Sequence, residues 1–374
     1  MKIAFIFGAT GYESGLYNAT IDTVNEIRAQ GHLVDYIFWD DKKRLKDNDQ
    51  CINLWGISNK SISSKIFIKI VKNIFGYHFY YLLFSKFFSN QLTKYVNKNE
   101  YDIIFFHGTN YLPFYSYKGK SYVVLHSCKY ENLINRHKGI KKYFYTKLYR
   151  KLYSNKNILT VSNDSLIDML DKVKAKPLTI DTIYNGFNFE NMENVVKNSH
   201  INGLPDKFIM AAGRPDRTKR FDILLKAYAK SLSKEEYKLV IFGEGKRTSN
   251  LKRLARELNI EDNVIFAGFI SPLLPVFKYA SLYVLSSDIE GLPTVIIESL
   301  VSKTPVVATA AGGVNELLSG DLNQYVVPCG DIDALSEKID LALGEPPTVS
   351  SQNVAYLDYK IVAQRYIDKA EELK

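Results

Sequence analysis

FIMAAGRPDRTKRFDILLKAYAKSLSKEEYKLVIFG, residues 208–243, decides the fold. Its ends, FIMAAG (208–213) and YKLVIFG (237–243), are short apolar runs, each closed by glycine. Neither run alternates apolar with polar residues, which marks strands covered on both faces. Between them, FDILLKAYAKSL repeats its apolar residues at helical spacing. Strand, helix and strand in that order place the two strands parallel, because only a long crossover returns the chain to the same end of a sheet.

The rhythm extends in both directions. Downstream, NVIFAGF (263–269), LYVLSS (282–287), TPVVAT (304–309) and QYVVP (324–328) read as strands with helices between them. Upstream, KIAFIF (2–7), HLVDYIFW (32–39), YDIIFFHG (101–108), YVVLHS (122–127), NILTVS (157–162) and TIDTIYNGF (179–187) form a second series. The loop GATGYESG follows the first of these, and 16–30 reads as a helix. Residues 188–207, rich in Asn, Lys, Ser, Gly and Pro, read as a linker, and 357–374 as an amphipathic helix with no strand after it. The expected fold class is α/β, with two doubly wound Rossmann-like domains, 1–187 and 188–356. Ligands of such domains bind beyond the carboxyl ends of the strands.

With 46% hydrophobic and 24% charged residues, the chain has ample material for a core, which excludes disorder as its main state. No run reaches the 18 or so uncharged apolar residues of a membrane span. The richest stretch, 66–88, is interrupted by Lys69, Lys72, Asn73, His78 and Lys86. MKIAFIFG is too short for a signal-peptide core, and Cys51, Cys128 and Cys329 are scattered without a CxxC pair. A cytoplasmic protein is expected. Residues 1–185 hold 27 Lys and Arg against 15 Asp and Glu, whereas 186–374 hold 22 against 25. Stretches 60–99 and 136–156 carry fifteen basic residues and no acid, interleaved with Phe, Tyr, Leu and Ile. That pattern suits an anionic surface, with nucleic acid, acidic lipid headgroups and a phosphorylated substrate as its three possible forms.

The chemistry-bearing residues concentrate in the second series. GRPDRTK (213–219) turns from a strand into a helix, so Arg214 and Lys219 can converge on one anion, the first as a bidentate fork and the second as a point charge. In SSDIEGLPTVIIESL (286–300), Gly291 ends a strand and Pro293 suits a helix start, whose free N–H groups attract anions. Glu290 and Glu298 flank that start and are suited to accept vicinal hydroxyls, those of a sugar on one side and of a ribose on the other. Asp47-Asn48-Asp49 reads as a solvated loop rather than a metal site, and the glycines Gly8, Gly11 and Gly15 lack dinucleotide-fingerprint spacing.

GRPDRTKRFDILL, LVIFGEGKRTSNLKRLARELNIEDNVIFAGF and EGLPTVIIESLVSKTPVVATAAGGVNEL together resemble the retaining glycosyltransferases of family 4, with their GT-B fold. AQGHLVDYIF, YDIIFFHG, the VLHS strand end and TVSNDS extend the resemblance more loosely into the first half. It implies two domains facing a cleft and a terminal helix, 357–374, crossing back to the first domain. It also implies that Arg214 and Lys219 hold the diphosphate of a sugar donor, that Glu298 holds the ribose and Glu290 the transferred sugar. Gly291 would belong to the same donor-binding set, and the N–H groups of Leu292 and Thr294 would face the phosphates. Gly15 would approach the diphosphate from the first domain, with Ser14 where the family's loop has a second glycine. His126 matches a histidine that contacts the reacting sugar; His107 is the weaker parallel.

The function implied is transfer of a hexose-type sugar from a nucleoside-diphosphate donor, UDP rather than GDP, to a hydroxyl of a glycan or polyprenyl-diphosphate-linked glycan, with retention. No metal or other cofactor is expected, because positive groups already neutralise the diphosphate. The basic first half implies peripheral attachment to the anionic inner face of the cell membrane, without nucleic-acid binding. A sugar-nucleotide epimerase of the same fold is one alternative; a non-catalytic nucleotide-binding or basic binding subunit is another.

Overall fold

The structure, a computed structural model, describes residues 1–7, 17, 19–39, 50–52 and 62–373. The chain forms two compact units, residues 1–187 with 359–374 and residues 188–358.

Unit 1 is a seven-stranded parallel sheet of β1 (Lys2–Phe7), β2 (Leu33–Trp39), β3 (Gln50–Ile52), β4 (Ile103–His107), β5 (Ser121–Leu125), β6 (Asn157–Thr160) and β7 (Thr179–Thr182), in the order β3-β2-β1-β4-β5-β6-β7. The unbroken apolar sequence of β1 is explained by cover on both sides. Ile3, Phe5 and Phe7 pack with Val24 and Ile27 of helix Ile21–Ala29 and with Val362 and Tyr366 of helix Tyr359–Glu372. Ala4 and Ile6 face Tyr81, Phe88 and Leu92 of helix Ile62–Asn99. Successive strand residues point to opposite faces, so a strand with two covered faces must be apolar throughout. The last helix rejoins unit 1 where the Tyr359 N–H donates to the Phe187 carbonyl, at 3.1 Å.

Unit 2 is a six-stranded parallel sheet of β8 (Phe208–Ala212), β9 (Lys238–Phe242), β10 (Val264–Gly268), β11 (Leu282–Leu285), β12 (Val306–Thr309) and β13 (Val326–Val327), ordered β10-β9-β8-β11-β12-β13. The strand order reverses between β8 and β11. The loops leaving their carboxyl ends therefore diverge and open a crevice there.

Three expectations about elements need correction. Residues 188–207 are not only linker: Phe189–Asn198 is a helix, capped where the Asn188 side chain accepts from the Asn191 N–H at 3.0 Å. Loop-like composition there conceals a capping residue. Of the helix expected over 16–30, Ile21–Ala29 is helical and Ala19 and Thr20 form a turn, while residues 16 and 18 lie outside the described residues. The 38-residue helix Ile62–Asn99 fills a stretch to which the sequence reading assigned no element. Among the described residues, no helix is long and apolar enough to cross a membrane.

Candidate functional site

The loops after β8 and β11 meet at the unit 2 crevice. Gly213 leaves β8 at φ 140° and Gly243 leaves β9 at φ 129°, conformations that L side chains rarely adopt. A Cβ on Gly243 would also collide with the Gly213 carbonyl oxygen. Asp216 organises the turn that follows. Its Oδ1 accepts from the Thr218 N–H at 2.9 Å, the Thr218 hydroxyl at 2.7 Å and the Lys219 N–H at 3.2 Å. Burial works against the charge, but these bonds prevail and hold the carboxyl below its usual range. Arg220, at φ 47°, ties the turn to the neighbouring loop through Asp288, with Nη1 and Oδ2 2.7 Å apart. The Asp288 N–H donates to the Thr218 carbonyl, and the Ser286 hydroxyl to the Lys219 carbonyl, both at 2.8 Å.

This lacing delivers Lys219 to Glu290. Nζ and Oε1 are 2.8 Å apart and both side chains are largely buried, while the Ser287 hydroxyl donates to the same oxygen at 2.5 Å. Arg214 lies on the same turn but points outward. Its side chain is 78% exposed, with Nε 3.4 Å from Asp216 Oδ2. The expected convergence of Arg214 and Lys219 is thus replaced here by a Lys219–Glu290 pair beside an extended arginine. A guanidinium that free is available to a ligand; the ammonium is already placed.

Beyond Glu290, Gly291 and Leu292 lead to helix Thr294–Val301, whose N-terminal residue Pro293 offers no capping side chain and whose first turn has no acid. Its first N–H groups lack side-chain acceptors, the arrangement that favours an anion. Thr294 is exposed at this start. Glu298, one turn in, is partly buried, and burial pushes its carboxyl up to about 7. The two glutamates therefore differ: one is paired, the other is held in an environment that resists its charge.

Two further parts of the site received no role in the sequence reading. The Gly313 N–H donates to the Gly291 carbonyl at 2.7 Å, and a Cβ on Gly312 would strike the Glu290 carbonyl, so AAGG (310–313) supports the 290–292 loop. A cavity of about 440 Å³ adjoins Gly213 and Arg214, lined also by Gly243, Glu244, Phe269, Ile270 and Val295. The signal for both was glycine after a strand, in GEG (243–245) and AGG (311–313).

In unit 1 the expected residues take a different form. Gly15 and the Asp47–Asp49 segment lie outside the described residues. His107 ends β4 and His126 follows β5; His107 Nδ1 and His126 Nε2 are 3.0 Å apart. Burial lowers both rings, His107 well below the ordinary histidine value and His126 to about 3, so both are neutral. The nearby Lys129 ammonium adds to the effect on His126. Lys129 is itself almost wholly buried, and burial lowers it to about 8 although Asp168 acts the other way.

Comparison with known proteins converges on one family. Residues 14–191 match the model of Glycosyltransferase Family 4, and residues 194–355 that of Glycosyl transferases group 1. The N-acetylgalactosamine-N,N'-diacetylbacillosaminyl-diphospho-undecaprenol 4-alpha-N-acetylgalactosaminyltransferase of Campylobacter jejuni is 30% identical over 227 residues, which span 59% of this chain and 60% of that protein. An uncharacterized glycosyltransferase of Haemophilus influenzae is 24% identical over 92% of this chain and 91% of its own. Among solved structures, a glycosyltransferase from Rickettsia africae superposes with a TM-score of 0.71 at 16% identity, covering 100% of this chain and 98% of that one. HepE of Anabaena, in complex with UDP, does so at 0.69 and 17%, covering both chains fully. Two matched halves and one shared architecture agree: the chain belongs to the family 4-type glycosyltransferases of the GT-B fold.

Proposed function

We propose that the chain transfers a hexose-type sugar from a nucleoside-diphosphate donor, UDP rather than GDP, to a hydroxyl of a glycan or lipid-linked glycan, with retention at the anomeric carbon. One observation carries this reading: a laced Lys219–Glu290 pair lies on the loop that leads to an uncapped helix start, and the same turn borders a nucleoside-sized cavity. Arg214, Lys219 and the N–H groups of Leu292 and Thr294 would hold the diphosphate. The cavity beside Arg214 would take the base, Glu298 the ribose hydroxyls and Glu290 the hydroxyls of the sugar. In the step itself the anomeric C–O bond to the diphosphate breaks, and a bond to the acceptor oxygen forms on the same face. The acceptor's proton leaves with a diphosphate oxygen. Catalysis then rests on positive groups fixed before charge develops on the leaving group. A uridine nucleotide as donor is supported by HepE, which was solved with UDP.

A lipid-linked acceptor is supported by the names of two relatives, the Campylobacter diphospho-undecaprenol enzyme and a Streptococcus pneumoniae alpha-monoglucosyldiacylglycerol synthase. Helix Gly139–Tyr153 supports it independently. Ile140, Tyr143 and Phe144 are 89%, 69% and 54% exposed and share a face at helical spacing. Exposed Arg136, Lys138, Lys141 and Lys147 surround them. Aromatic and aliphatic tips ringed by cations fit an anionic bilayer surface, where each cation contributes about 1 kcal/mol.

Screening UDP- and GDP-sugars by thermal shift tests the donor, since ligand bound only to the folded state raises its melting temperature. A panel in which none raises it would overturn the donor reading, and an epimer formed without acceptor would favour the epimerase. The anomeric coupling constant of the product reads retention. Sedimentation with neutral and anionic vesicles tests attachment. Wild type should pellet only with anionic vesicles and less at high salt. A variant with Lys141, Lys142, Lys147, Arg150 and Lys151 changed to Glu should stay in solution and still bind UDP. Wild type that ignores anionic vesicles at low salt makes the acceptor a soluble glycan.

A further inference from the structure

The proposed transfer gives no task to His107, the histidine bonded to His126, which the family resemblance makes a contact of the reacting sugar. His107 is fully buried, with its ring stacked on Phe5 and Phe7 at centroid distances of 5.0 and 4.7 Å. An apolar ring would fill that slot without the cost of burying polar nitrogens. The imidazole instead sets its Nδ1 3.0 Å from His126 Nε2.

Both rings are neutral, so one proton lies between them: one nitrogen donates and the other accepts. Which ring donates depends on the tautomers, but in either case the bond holds the direction of His126 Nε2, and without it the ring turns more freely. The bond also occupies Nε2, which leaves Nδ1 as the His126 nitrogen open to a ligand. The stack on Phe5 and Phe7 fixes the His107 plane, and through it the direction of the bond.

We propose that His107 is a positioning residue, whose bond to His126 Nε2 fixes the orientation of that ring and so presents Nδ1 to a hydroxyl of the transferred sugar. The inference rests on the reading of His126 as a contact of the reacting sugar, and the experiment separates the two.

The full chain, carrying 15N-labelled histidine, is compared with His107→Phe, His107→Gln and His126→Ala. Turnover is read as nucleotide release from whichever of UDP-glucose, UDP-galactose, their N-acetyl forms and GDP-mannose is used fastest. His107→Phe keeps the stack and removes the bond. Its kcat should fall tenfold or more with KM changed less than threefold, and its affinity for UDP, bound by unit 2, should stay within twofold. The His126 nitrogen shifts should move, because the bond at Nε2 is lost. His107→Gln, which can bond, should recover part of kcat. If His126→Ala keeps wild-type kcat, the reading of His126 fails and the proposal with it. If His126→Ala loses turnover while a stably folded His107→Phe keeps it, only the pairing is overturned. Should His107→Phe melt early, His107→Leu replaces it, and unchanged His126 shifts in that variant overturn the proposal.

Discussion

The two units share a parallel sheet and a reversal of strand order, yet their strand ends hold opposite chemistry. In unit 2 the crevice is built from charges: Asp216, Lys219, Arg220, Asp288 and Glu290 are linked in one network between the β8 and β11 loops. In unit 1 the corresponding end presents two neutral imidazoles among aromatic rings. Charged groups on short loops suit an anionic diphosphate, which completes their pairing. Neutral groups in a dry wall suit hydroxyls. The same topology supplies a direction and a crevice, and the side chains at the strand ends decide what enters.

The largest expected effect separates the two glutamates of unit 2. Glu290→Gln should lower kcat about 100- to 1,000-fold, the scale seen when a preorganised polar contact to a transition state is lost. Its affinity for UDP should not weaken by more than threefold. Glu298→Gln should weaken UDP and UDP-sugar alike. Equal profiles for the two variants would dissolve the division of sugar from ribose.

The next effect tests the contrast in charge through pH, where the units should respond in opposite directions. Glu298 has its carboxyl raised from the ordinary 4.5 to about 7, so between those values the folded state keeps a proton that the unfolded chain has lost. Its contribution therefore falls as pH rises across that window, by at most about 3 kcal/mol. The His126 ring is lowered from 6.5 to about 3, so below 6.5 the unfolded chain takes up a proton that the folded ring refuses. Its contribution falls as pH drops. Thermal unfolding at pH 5 and pH 8 checks both: Glu298→Gln should gain stability relative to wild type mainly at pH 8, and His126→Gln mainly at pH 5. Matching pH responses in the two variants would remove the contrast.

A smaller effect compares the two cations of the turn. Loss of a charge-assisted contact costs about 1.5–3 kcal/mol, so Lys219→Ala and Arg214→Ala should each weaken UDP binding roughly ten- to a hundredfold. They should part in the absence of ligand. Lys219→Ala leaves the largely buried Glu290 without its cation and should lower the melting temperature. Arg214 is exposed and makes only a long surface contact, so its loss should leave melting unchanged. Calorimetry with UDP and scanning fluorimetry without it read the two halves of this prediction.

Much of this contrast was legible in the sequence where it depends on neighbours along the chain. Apolar runs closed by glycine gave the strands, and the GRPDRTK turn and the Glu290–Glu298 spacing identified the crevice loops. What was illegible depends on partners far apart in sequence. Lys219 meets Glu290 across 71 residues, and His107 meets His126 only because β4 and β5 are neighbours in the sheet. Helix Ile62–Asn99 interrupts its apolar residues with lysines, which concealed its period. Asn188 looked like linker because a capping residue and a loop residue are the same amino acids chosen for the same hydrogen bond. The support that AAGG gives to the Glu290 loop is a matter of missing Cβ atoms, and space is not written in a local pattern.

The smallest expected effect is none at all. A diphosphate leaving group develops negative charge, and either a metal ion or fixed positive groups can neutralise it. Unit 2 offers an exposed guanidinium, a placed ammonium and the N–H groups of an uncapped helix start. Lys219 is held by Glu290 before any ligand arrives, so the diphosphate would compete with a carboxylate for it, and Glu290 would be released toward the sugar as the phosphate takes the ammonium. In that exchange charge would pass between groups already in the crevice, without a divalent ion. Turnover of the best UDP-sugar should therefore be the same, within about twofold, in excess EDTA as in added magnesium or manganese. A complete loss in EDTA that manganese restores would shift the neutralising role to a metal and make Asp47 and Asp49 the first residues to replace.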